Sequence, residues 1–164
     1  MRRARNLSFI CLFAVLAAVA PVHARLGEKS AELRARFGKP EATPQKNVLV
    51  WLIEEPAGAL LYTVTLDEKD VSIAEGLKPF RQAKMTEQSA RNFIAEQLSA
   101  LPENHRAREL KPGDAYTFAG EKLTCGANEK VVVDDEHGLL VVWTTAPAPS
   151  VLAVTREMLQ RARR

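Results

Sequence analysis

The chain has 164 residues, 46 % of them apolar and 26 % charged, with 23 basic side chains against 20 acidic ones and a formal net charge of +3. Arg2, Arg3 and Arg5 account for that surplus, so the chain beyond residue 24 carries 20 charges of each sign. Near-neutrality over that length lacks the electrostatic footprint that nucleic acid or an anionic membrane needs, and the basic cluster Arg156, Arg161, Arg163 and Arg164 reads as a solvated helix end.

The three arginines open a short apolar run, 7–20, that ends in Pro21, Val22, His23 and Ala24. A charged start, an apolar core of about 14 residues and small residues at the −3 and −1 positions make a secretory signal peptide, with cleavage expected after Ala24. The run is shorter than the ~20 residues that span a bilayer, and nothing later in the chain is longer. A periplasmic or secreted product without a membrane span is therefore expected. Cys11 leaves with the signal, so Cys125 is the one remaining thiol, no internal disulfide can form, and the fold must rest on packing. The mature length suits one domain, or two very small ones.

Leu26, Leu33 and Phe37 fall at helical spacing with charged residues between them, which predicts a helix over 26–37 closed by Gly38 and Pro40. The stretch 48–54 (VLVWLIE) is apolar on both faces and reads as a central strand. A turn at 55–58 leads to 60–66, where Leu60, Tyr62, Val64 and Leu66 alternate with more polar neighbours. The acidic turn Asp67, Glu68, Lys69 and Asp70 returns the chain into a third strand, 71–75, completing an antiparallel meander. Thr86 is placed to cap a helix whose apolar stripe runs through Ala90, Phe93, Ile94, Gln97, Leu98 and Leu101. These elements make a helix-meander-helix half over 25–101.

Residues 102–114 are polar and broken by proline and glycine, and read as an exposed connector. The half that follows, 115–164, holds short strands at 116–118, 123–125, 131–134 and 139–145. Pro147 and Pro149 break the chain before a short apolar piece, 151–154, and Thr155 caps a closing helix over 156–163. The expected fold is α+β: an antiparallel sheet of meander hairpins with helices packed on one face. Each half reads as a helix followed by strands with an acidic hairpin turn, Asp67 to Asp70 in one and Asp134 to His137 in the other, so the chain reads either as one domain or as two similar halves sharing one sheet.

Leu26 and Gly27, then Leu33, then Phe37, Gly38, Lys39 and Pro40, then a strand carrying Trp51, resemble the opening of small outer-membrane β-barrel assembly lipoproteins. The same pattern is similar to the repeat of β-lactamase-inhibitory proteins, and the whole layout resembles uncharacterised small exported bacterial proteins. The first two resemblances cover about 50 residues and imply a non-catalytic module whose meander binds another protein. The chain differs from the first family in lacking a lipid-attachment cysteine, and from the second in lacking its disulfides.

Three constellations bear chemistry. Cys125 with His105 or His137 as base and Asp134 or Asp135 as orienter would make a thiol hydrolase, since a thiol needs a neighbouring imidazole to become a thiolate; a buried structural cysteine is the competing reading. Asp134, Asp135, Glu136 and His137 are suitable cation ligands, but adjacent strand residues point to opposite faces, so a solvated turn is expected, with no metal and no cofactor. Trp51 and Trp143 are core by default; if either strand faces outward, its tryptophan with Tyr62 or Leu52 would form an apolar patch for a protein partner. The function expected from the whole is an exported, non-catalytic binding or envelope-associated module, the alternatives being the thiol hydrolase and a small-ligand carrier using the groove between sheet and helix.

Overall fold

The computed structural model describes residues 25–162; the signal peptide expected over 1–24 lies outside them. The elements in chain order are α1 (Ser30–Phe37), β1 (Val48–Ile53), β2 (Leu60–Leu66), β3 (Ser72–Pro79), α2 (Glu87–Ser99), β4 (Arg108–Leu110), β5 (Ala115–Phe118), β6 (Glu121–Thr124), β7 (Glu129–Asp134), β8 (Leu139–Thr144), β9 (Ser150–Thr155) and α3 (Arg156–Arg161). Seven strands form one sheet in the order β1-β2-β3-β9-β8-β7-β4, and β5 with β6 makes a separate hairpin. Every pairing is antiparallel, so the chain is an α+β fold. No helix among the described residues is long and apolar enough to cross a membrane.

Local chemistry places most of these elements where the sequence puts them. Thr86 Oγ1 accepts the Ser89 N–H at 3.0 Å and starts α2, and Thr155 Oγ1 accepts the Met158 N–H at 3.3 Å and starts α3, each satisfying a donor that a helix start leaves orphaned. Strand β2 alternates strictly, with Leu60, Tyr62, Val64 and Leu66 inward. Asp67 Oδ1 takes the N–H groups of Lys69 and Val71 and so shapes the β2–β3 turn, while Asp70 adopts φ 65°.

The course of the chain departs from expectation in several elements. Helix α1 starts at Ser30 rather than Leu26, because residues 26–29 are drawn against β3: Gly27 sits at φ 92°, and Lys29 makes a β-bridge to Val71. The third strand runs on to Pro79. The connector 102–114 contains β4, which pairs with the outer side of β7 from Arg108↔Val133 to Leu110↔Val131. The apolar piece before the last helix is β9, a central strand that pairs with β3 on one side and β8 on the other. That strand makes the sheet continuous, with the β1-β2-β3 meander and the β7-β8-β9 meander meeting at β3 and β9.

The two sheet faces are covered unequally. On one face α1 and α2 lie over Leu49, Trp51, Leu60, Tyr62, Val64, Leu77, Val141 and Val151, contributing Leu33, Ala90 and Phe93. An aromatic cluster ties this layer together, with Phe37 5.3 Å from Trp51 and 5.1 Å from Tyr62, and Phe93 edge-on to Tyr62 at 6.4 Å. On the other face the β5-β6 hairpin and α3 cover Ala74, Val131, Val133, Leu140 and Val154, with Phe118, Cys125, Met158 and Leu159 filling the layer. This second layer serves the β4-β7-β8 side of the sheet and places α3 opposite the two longer helices, which corrects the expectation that the helices pack on one face.

Candidate functional site

Because the second layer stops short, the β1-β2-β3 side of that face is open. Antiparallel register brings Val50, Thr63, Gly76 and Leu152 into one transverse row, and Leu52, Leu61 and Lys78 into the next. Leu52 is 39 % exposed and Leu152 45 %, the two large apolar side chains most open to water among the described residues. Gly76 leaves a shallow depression whose rim is Thr63, Lys78, Ser150 and Leu152; a Cβ at this glycine would touch Leu152 Cδ1 at 3.6 Å. An apolar strip on an open, half-polar sheet face suits contact with another macromolecule.

The aromatic side chains singled out in the sequence are elsewhere. Trp51 and Tyr62 are buried beneath α1 and α2, with Trp51 Nε1 donating to the Gly38 carbonyl at 3.1 Å and the Tyr62 hydroxyl donating to Glu75 at 2.7 Å. Trp143 is buried too, under a cation-π contact from Lys130 at 4.4 Å. A partner-binding patch built on these three rings is thereby corrected: strand alternation turns them to the helix-covered face, and their neighbours Val50, Leu52 and Leu61 take the open one. Trp143 forms the floor of a groove between α2 and the sheet, walled by Ile94, Leu98 and Val132 and rimmed by Arg91, Lys130 and Glu109.

Cys125 is buried in the hairpin-covered layer, its thiol facing the carbonyls of Leu110, Gly126 and Glu129 at 3.6–4.0 Å. Burial pushes the thiol above its usual pKa, and the charges of Glu129 and Asp114 push the same way. No imidazole is among these neighbours. Cys125 touches Glu129 at the start of β7, whereas Asp134 ends it, about 16 Å away at ~3.3 Å per residue. Reaction of Cys125 with a thiol reagent at pH 7 is therefore expected to be far slower than that of a free thiol and to quicken on unfolding; fast labelling of the native protein would show a thiolate that this environment does not make.

At the far end of β7 the structure gathers His105, Asp134 and His137. Asp134 is buried rather than solvated, correcting the expectation of an open acidic turn at this residue, while Asp135 stays exposed. Its Oδ1 accepts the His137 N–H at 2.9 Å, both its oxygens lie 3.1 Å from His137 Nδ1, and Oδ2 is 4.0 Å from His105 Nδ1. His105 Nδ1 accepts the Ala107 N–H at 3.2 Å, which leaves its other nitrogen to carry the ring proton when neutral. Burial works to raise the Asp134 pKa, but the His137 backbone N–H, its imidazole and the Arg106 backbone N–H outweigh it and hold the carboxyl below its usual range. Asp134 thus fastens the β7–β8 turn and the loop after α2. Among the described residues no group of three or more His, Cys, Asp or Glu side chains is placed to hold a metal ion.

A second buried acid escaped the sequence reading. Glu75 of β3 faces the helix-covered layer between Val64 and Ala153, and is fully buried. Its Oε2 accepts the Tyr62 hydroxyl at 2.7 Å and Gln97 Nε2 at 2.9 Å, while Oε1 has no partner among the described residues. Burial is the main cause that raises its pKa to about 7; the hydrogen bonds from Tyr62 and Gln97 and the nearby Ser72 hydroxyl oppose the rise, and the charge of Glu28 adds to it. The available signal was the period-two spacing of Glu75 and Leu77, which puts an acid on an inward face once the strand is carried past residue 75.

Comparison of the chain with family models, with curated proteins and with solved structures finds no match in any of the three.

Proposed function

We propose that the chain is an exported, non-catalytic binding module whose open half-face receives another protein. The observation that carries this reading is the strip on that face, where Leu52 and Leu152 stand exposed beside Leu61, Val50 and Thr63 while the β4-β7-β8 side of the same face is covered. Large apolar side chains held in water on a rigid sheet cost solvation that contact with a partner removes. The resemblance of the helix-and-meander opening to β-barrel assembly lipoproteins and β-lactamase-inhibitory proteins supports a sheet-borne protein contact, and the signal-peptide pattern at the N-terminus supports export.

A photo-crosslinking residue at position 152, expressed in the native host, is expected to give one discrete protein adduct. The same residue at exposed Lys122 of the β6 hairpin should not. With the crosslinking residue kept at 152, Leu52→Asp should abolish the adduct while shifting stability by no more than about 0.5 kcal/mol, as exposed positions away from special features usually do. Equal adducts at 152 and 122, or none at 152, would sink the reading. Small-ligand carriage in the Trp143 groove is the second reading, favoured by its apolar walls and two cationic rim residues; its signature is a stoichiometric small-molecule mass retained on the native protein.

A further inference from the structure

Residues 25–29 are fastened across the end of the sheet by the same polar groups that surround Glu75. The Gly27 N–H donates to both the carbonyl and the hydroxyl of Ser72, at 3.0 and 2.9 Å, and the Ser72 N–H returns to the Glu28 carbonyl at 2.9 Å. The Leu26 N–H donates to Gln97 Oε1 at 3.0 Å. Gln97 therefore holds residues 25–29 with one end of its amide and Glu75 with the other, at 2.9 Å. This segment also brings its own acid: Glu28 Oε2 is buried and, like Glu75 Oε1, has no hydrogen-bond partner among the described residues.

Two enclosed carboxyl oxygens without donors are tolerable while one of the carboxyls is neutral, and costly once both are ionised. We propose that residues 25–29 form a proton-operated strap: neutral Glu75 lets them close over the sheet through Gln97 and Ser72, and loss of its proton to water opens them. This inference is independent of the protein-binding reading.

The groups facing Glu75 leave few other sources of such a response. Strand β2 presents the Tyr62 hydroxyl and the apolar Val64, and β9 presents Ala153. Helix α2 contributes the uncharged Gln97, and Glu96 beside it pairs with Arg25 at 3.4 Å. The strap contributes Glu28, whose Oε1 is held by Arg36 of α1 at 2.7 Å. Ionised Glu75 thus meets a like charge carried on the strap itself, and opening gives water to both carboxylates. The closed strap binds the Glu75 proton more tightly than the open one, so closure is favoured at low pH and weakens as pH rises from the ordinary carboxyl range to about 7.

Native-state hydrogen exchange of the wild-type protein tests this. After correction for intrinsic rates, protection of the Leu26 and Gly27 amides is expected to fall by about tenfold to a hundredfold between pH 5 and 7 and then level, each pH unit being worth at most a factor of ten for one proton. These amides should exchange faster than those of the β7-β8 ladder, which report global unfolding. Glu75→Gln should flatten the profile, and Glu28→Gln should reduce its slope. A carbon-13 titration of the Glu75 carboxyl in the wild type supplies the same test if Glu75→Gln does not fold. A flat wild-type profile, strap amides as protected as the ladder, or a Glu75 carboxyl already ionised at pH 5 would overturn the proposal.

Discussion

Phe93→Ala is expected to destabilise the fold by about 3–5 kcal/mol, the range for truncating a fully buried aromatic ring. Phe93 has no exposed surface, lies edge-on to Tyr62 at 6.4 Å, and stands at the centre of the face by which α2 meets the sheet. The loss combines the transfer free energy of the ring with the cavity it leaves, and the cavity cannot collapse easily because Tyr62 is held in place through its hydroxyl by Glu75. Urea unfolding followed by tryptophan fluorescence would measure it, since Trp51 lies in the same cluster. A cost under about 1 kcal/mol would mean that α2 is not docked on the sheet as described. The helix carries no cation in its last turn and so depends on this packing and on its Thr86 cap.

The stability of the wild-type protein is expected to fall by about 3 kcal/mol as pH rises from 4.5 to about 7. The cause is Glu75, whose pKa is about 7 in the folded chain against an ordinary 4.5, a gap worth about 3 kcal/mol at 1.36 kcal/mol per pH unit. A raised folded-state pKa means that the folded state holds the proton more tightly. Its contribution is therefore complete below the unfolded value, declines between 4.5 and 7, and is gone above. Asp134 works in the opposite sense. Its pKa is held low by the His137 and Arg106 contacts despite burial, so its contribution is present above the usual carboxylate range and is lost as pH falls below it. Stability should consequently peak in mild acid. Denaturant midpoints taken from pH 3 to 8 would trace the curve, and Glu75→Gln should remove its neutral-pH limb and be the more stable protein at pH 8. A wild-type curve that climbs steadily to pH 8 would show Glu75 ionised and stabilised in place.

The polar cluster also bears on Phe93 itself. Tyr62 contacts Phe93 on one side and bonds to Glu75 on the other, and Gln97 lies one helical turn beyond Phe93 on α2. Changes at these residues share partners, so their effects on stability should not add.

Local chemistry was enough to determine most of the elements: the alternation of β2, the Thr86 and Thr155 caps, the Asp67 turn and the glycine-proline exit from α1 each act within a few residues, and each is readable in the order of side chains. The antiparallel α+β class follows from them, because short alternating runs joined by tight turns must pair with their neighbours. Only the tertiary structure decided which residues the protein offers and which it hides. The strand 151–154 is central because β3 and β8 both lack a partner that β9 supplies, a pairing that closes over 82 residues where Thr155 Oγ1 donates to the Ile73 carbonyl. Helix α1 loses its first turn to contacts reaching 71 residues along the chain, from Leu26 to Gln97. The same long-range assembly buries Trp51, Tyr62 and Trp143, parts Cys125 from both imidazoles, encloses Glu75 and leaves Leu52 and Leu152 in water. A strand's two faces are distinguishable by pattern, but which face is covered, and how far along the sheet, depends on where other elements come to rest.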